Sequence, residues 1–128
     1  MNFKKAIFTG LILLVTTFSF GQSTLEKMKK LPAEDVAKQR TEIMDKKLDL
    51  TDEQEVKVQE INLESSKKRK EIFQNTSRFK IPRKLKVVKA DYDEKLEKIL
   101  SPEQFKLYED KKGEIKDEMI FWVDEQEI

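Results

Sequence analysis

"LDLTDEQ" at residues 48–54 returns in altered form as "KILSPEQ" at residues 98–104. Each copy runs Leu, then Thr or Ser, then any residue, then Glu-Gln, starting at Leu50 and at Leu100. A hydroxyl residue followed three positions later by Gln is a capping box. The hydroxyl accepts from the third helical amide, and the Gln side chain reaches back to the amide of the cap. Thr51 with Gln54 and Ser101 with Gln104 therefore each open a helix. Asp52 and Glu53 add negative charge at the positive end of the first helix, and Pro102 fits the first position of the second. Leu100 packs on Phe105 as a hydrophobic staple.

Working outward, each motif sits between two amphipathic stretches. Upstream of the first, Pro32 suits a helix start, and Val36, Arg40, Ile43 or Met44, Lys47 and Leu50 recur every three or four residues. Downstream, Val58, Ile61, Ser65, Arg69 and Ile72 mark a face lasting to about Gln74. "NTS" at 75–77 then breaks the chain, and Pro82 starts a new element. Ile81, Leu85, Val88, Tyr92, Leu96 and Ile99 form the clearest apolar stripe. After the second motif come Phe105, Tyr108, Lys112, Ile115, Met119 and Trp122. Gly113 lies within that helix and marks a bend or a close helix contact. The fold class is all-α: four long amphipathic helices, arranged as two helix-turn-helix units with a motif at each turn.

The rest of the chain of 128 residues fits one domain. Lys4 and Lys5, the apolar run Ala6–Phe20, and small residues at Ser19 and Gly21 lay out a secretory signal peptide over residues 1–21, cleaved before Gln22. The run is shorter than the ~20 residues of a spanning helix. Residues 22–31 read as a flexible leader, and 32–128 as the helical domain. An exported chain could use disulfides, yet there is no Cys, so packing alone must hold the fold. With much of the apolar content in the signal segment, the remaining core is lean and a homodimer is expected.

Charge is unevenly placed. Residues 22–66 carry 8 basic and 11 acidic side chains, 67–89 carry 10 and 1, and 90–128 carry 6 and 13. A basic middle is thus flanked by an acidic tail that includes Asp124, Glu125 and Glu127. In an exported protein the basic run meets acidic segments of other proteins, an anionic membrane surface in weak contact, or the tail of a second subunit. Nucleic acid is not an expected partner.

Enzyme chemistry finds no footing. Without His or Cys, neither Thr51 nor Ser101 has a base to activate it, and capping accounts for both. Asp91, Asp93, Glu94 and Glu97 begin like a calcium loop. Lys95 and Leu96 then occupy positions where that loop needs a ligand and a glycine, so a solvated helix face is the better reading. No catalytic residue, metal or cofactor is expected.

The doubled motif carries a further resemblance. "LDLTDEQEVKVQEIN" and "EKLEKILSPEQFKLYED" resemble the paired LTxxQ segments of the Spy/CpxP family, over about residues 42–119. Ser101 replaces Thr in the second copy, a change that capping tolerates. The resemblance implies a periplasmic, antiparallel homodimer of long bent helices forming a thin cradle. It also implies an ATP-independent chaperone for unfolded or misfolded envelope proteins, or an adaptor that senses envelope stress for a two-component or extracytoplasmic-function sigma factor pathway. Some relatives bind zinc through His, which this chain lacks. On the chaperone reading the client surface falls on the second and third predicted helices, around Ile61, Arg69, Ile72, Phe73, Phe79, Arg83 and Lys86. There, apolar side chains beside cations hold unfolded segments weakly.

Overall fold

The computed structural model describes residues 21–128, so the predicted signal segment lies outside the described residues but for Gly21. Among the described residues five helices follow one another: α1 Gln22–Lys30, α2 Ala33–Leu48, α3 Asp52–Asn75, α4 Ile81–Ile99 and α5 Pro102–Glu125. The described residues contain no strand, and none of their helices is long and apolar enough to cross a membrane. The all-helical expectation holds, but the count of four does not.

The additional helix is α1, where a flexible leader is expected. Nine residues are too few to hold a helix in isolation. Docking supplies what length does not: Leu25 is buried in a cluster with Phe73 and Ile81, and Met28, Ile72 and Leu85 pack around it. Polar ties fix both ends. Gln74 Nε2 donates to the Lys29 carbonyl at 2.9 Å, Thr24 donates to the Asp124 carboxylate, and Lys27 Nζ donates to the Asp124 carbonyl at 2.7 Å. The acidic tail thus begins by fastening α1 to the end of α5.

The main core lies where α2, α3, α4 and α5 meet. Met44, Val58, Leu96 and Ile115 have no exposed surface, and Tyr92, Tyr108, Leu48 and Leu100 join them. All but Leu48 and Leu100 come from the predicted stripes, one helical face each. The staple residues Leu100 and Phe105 both belong to this core. Lys47, on the inner stripe of α2, pairs with Glu118 at 2.5 Å and Glu114 at 3.8 Å, tying α2 to α5.

Gly113 departs from one expectation. A Cβ built there meets nothing within 4 Å, so no close helix contact requires the glycine. Helix α5 continues through it without a break.

Candidate functional site

The two motifs meet. Each forms a complete capping box: Gln54 N donates to Thr51 Oγ1 and Gln104 N to Ser101 Oγ, both at 3.1 Å, while the Thr51 and Ser101 amides donate to the Gln54 and Gln104 Oε1 atoms at 2.9 Å. The two Gln side chains then face one another. Gln54 Nε2 donates to Gln104 Oε1 at 2.6 Å, and Gln104 Nε2 returns a bond to Gln54 Oε1 at 2.9 Å. The remaining amide protons reach the helix ends of the opposite unit: the Ile99 carbonyl for Gln54, and the Leu48 and Asp49 carbonyls for Gln104, each at 3.3 Å. Two helix starts and two helix ends are satisfied by one pair of amides.

The two turns differ by one residue. In the first, Asp49 and Leu50 separate α2 from the Thr51 cap, and Asp49 takes a left-handed conformation (φ 52°). In the second, Leu100 alone intervenes, in extended conformation.

A buried polar cluster lies between α2, α3 and α4. Arg40 Nε donates to the Tyr92 hydroxyl at 3.1 Å, Tyr92 donates to Asn62 Oδ1, and Asn62 Nδ2 donates to Thr41 Oγ1 at 2.8 Å. The Thr41 hydroxyl closes the chain on the Ala37 carbonyl at 2.9 Å. Two guanidiniums lie against the Tyr92 ring, Arg40 at 5.1 Å and Arg69 at 5.5 Å from its centre. Among the described residues, neither forms an ion pair with a carboxylate. Burial, with the charge of Arg40 next, pushes Arg69 down to about 10. Beside them, Tyr108 donates to Asp93 Oδ1 at 2.7 Å. Burial, then Tyr92 and the Asp93 carboxylate, hold the Tyr108 phenol far above its ordinary value.

Above this cluster opens a cavity of about 690 Å³. Its apolar wall includes Met28, Phe73, Leu85, Met119 and Val123, and it is reached by Arg40, Arg69, Lys70, Lys86, Lys89, Lys112 and Lys116. Among the described residues no Asp or Glu lines it.

The seven residues expected to form a client surface divide three ways. Arg69, Phe73 and Lys86 come together at the cavity. Ile61 packs against the main core and Ile72 against the α1 cluster, so neither is a free contact residue. Phe79, in the turn before α4, and Arg83, in its first turn, are exposed instead, with Phe79 at 90%. The cap residues stand as expected, but capping reasoning misses the pairing of the motifs. It also misses Arg40 and Tyr92; their signal is a charged residue and a hydroxyl placed on stripes that otherwise read as core.

The carboxylates on α4 are spread among lysines. Asp91 pairs with Lys95 at 3.1 Å and Lys68 at 3.7 Å, Glu94 with Lys98, and Asp93 with Lys112. Among the described residues no group of three or more His, Cys, Asp or Glu side chains is placed to hold a metal ion.

Residues 21–108 match the family described as a domain of unknown function, DUF4890. The chain belongs to this family. The matched region contains α1 to α4, both motifs and the basic middle. No curated protein and no solved structure matches the chain.

Proposed function

We propose that this protein is an exported, ATP-independent chaperone of the Spy/CpxP kind, which acts in the periplasm on unfolded or misfolded envelope proteins. The observation that supports this reading is a strip of apolar and basic side chains left uncovered at the start of α4. Phe79, in the turn before α4, is 90% exposed, and on α4 itself Arg83 and the 70% exposed Val87 lie four residues apart, on one side of the helix. Exposed apolar groups hold an unfolded segment, while Arg83, Lys84 and Lys86 attract acidic ones and keep the contact short-lived. The paired motifs serve this role by holding the two hairpins in register. A homodimer, as the resemblance implies, would place two such strips in one particle.

The test is suppression of aggregation. The full chain is exported, purified from the periplasm, and mixed without nucleotide with an unrelated unfolding protein while light scattering is followed. Suppression near stoichiometric amounts, lost in Phe79→Ser and Arg83→Glu and weakened by salt, is expected. A folded sample that suppresses nothing would overturn the reading. A single tight partner recovered by crosslinking in the native envelope would then favour an envelope-stress adaptor instead.

A further inference from the structure

The cavity, lined by residues of all five helices, has an electrostatic character that client binding at Phe79 and Arg83 does not use. Seven of its lining residues are Lys or Arg, and none is acidic. Lys112 is already neutralised by Glu109 and Asp93. Lys70, Lys86, Lys89 and Lys116 form no ion pair among the described residues, and neither do Arg40 and Arg69. The two arginines differ in what they have left to give. Arg40 spends its Nε proton on Tyr92, whereas Arg69 makes no hydrogen bond or ion pair among the described residues and lies over the Tyr92 ring, with Arg40, Tyr108 and Asp93 near enough to act on its charge. A guanidinium drawn into a pocket without an acceptor costs free energy that an anion would recover, most effectively through paired N–H donors.

The walls add the second half of the description. Met28, Leu85 and Ile120 line it with half-buried apolar side chains, and the volume lies within the ~300–1,000 Å³ of small-molecule sites. A free inorganic anion would leave that surface wet. A purely apolar guest would leave Arg69 unpaired. An extended peptide would carry a row of backbone N–H and C=O groups into walls that offer them few partners.

We propose that this cavity binds a single-chain amphipathic anion, a fatty carboxylate, with its carboxylate on Arg69 and its acyl chain along Met28, Leu85 and Ile120. Arg40 adds to the positive field at the head, and the lysines at the mouth draw the anion in. Phe79 and Arg83 lie outside this cavity, and the strip shares only Lys86 with it, so variants at Arg69 and at Arg83 tell the two sites apart.

Dodecanoate, dodecanol and acetate are titrated by calorimetry into the exported, purified protein, each below its aggregation concentration. The expected result is saturable 1:1 binding of dodecanoate, at least roughly tenfold weaker binding of dodecanol, and no binding of acetate. Arg69→Gln should weaken dodecanoate roughly tenfold while circular dichroism shows unchanged helicity. Arg69→Lys should restore part of the loss, and Lys57→Gln, on the exposed side of α3, should change nothing. Equal affinity for acid and alcohol, indifference to Arg69→Gln in a folded protein, or absence of saturable binding would each overturn the proposal. Arg83→Glu should abolish suppression of aggregation without altering dodecanoate affinity, so failure of either site is told apart from failure of the other.

Discussion

Gln54 and Gln104, fifty residues apart, exchange two side-chain hydrogen bonds and so join the two capping boxes into one unit. Each amide is used to exhaustion, because its oxygen accepts from its own cap and its nitrogen donates across the pair and to a helix end. Glu serves as well as Gln in an isolated capping box. Only the amide can both accept and donate here, which explains Gln at both positions.

This distinction can be measured. Gln54→Glu alone keeps the box but loses the donors to Gln104 and to the Ile99 carbonyl, and should cost about 1–2 kcal/mol. Gln54→Glu with Gln104→Glu sets two carboxylates against each other. Their folded pKa values are raised, so the penalty is full above the folded values and is relieved as pH falls. Urea unfolding at neutral and acid pH checks both. A double-mutant cycle with Ala should give a coupling of about 1 kcal/mol; additive effects would mean that the pairing contributes nothing.

Tyr92 is the hinge of the buried polar chain, accepting from Arg40 and donating to Asn62. Tyr92→Phe keeps the ring under both guanidiniums but strands the Arg40 Nε and the Asn62 oxygen in the core. A loss of about 1–3 kcal/mol is expected. Ser65 is the contrasting case, since its buried hydroxyl has no hydrogen-bond partner among the described residues. Ser65→Ala removes an unpaired polar atom and should leave stability unchanged or raise it by about 1 kcal/mol. Thermal unfolding of the two variants should move in opposite directions or differ by several degrees.

How much of this was legible depended on range. Thr51 and Ser101 were readable as caps because a capping box is complete within four residues. The stripes of α3, α4 and α5 were readable because burial follows the helical period. The Gln54–Gln104 pair was not, because nothing local states which distant amide will face another. Helix α1 escapes the sequence for the same reason: Leu25 and Met28 are spaced for a helix, but what holds them is Phe73 and Ile81, some fifty residues away. The client surface was half legible. Apolar and basic residues alternate through 61–86, yet only packing separates Ile61 and Ile72, which are used in cores, from Phe79, which is not.

Two backbone positions carry removable costs. Asp49 holds φ at 52°, a region that favours glycine, and its side chain makes no hydrogen bond among the described residues. Asp49→Gly should stabilise by up to about 1 kcal/mol, because the left-handed penalty exceeds the entropy glycine adds. Gly113 is the reverse, a helical glycine with open space where a methyl would go. Gly113→Ala should add about 0.8–1 kcal/mol. Both gains should appear as higher urea midpoints with unchanged slopes.

The pH dependence follows from the ion pairs that tie α3 to α4. A hydrogen bond from Lys95, then its charge and that of Lys68, holds Glu64 below its ordinary value of 4.5, and the same lysines hold Asp91 below 3.8. Depressed carboxylate values mean stability that is present above the ordinary values and lost as pH falls through the folded ones. On the alkaline side Lys95 is raised above 10.5 by Glu64 and Asp91, and Lys47 by Glu118. Raised lysines contribute stability that is complete below their ordinary value and lost as pH climbs past the folded one. Stability should therefore be flat from about pH 5 to 9 and fall on both sides. These pairs are solvent-exposed and screened, so the acid limb should shrink in high salt. Lys95→Met should flatten the acid limb further, because it releases Glu64 and Asp91 together. A titration of the unfolding midpoint against pH, in low and high salt, decides the matter. An acid limb unchanged by Lys95→Met would assign the acid loss to other carboxylates.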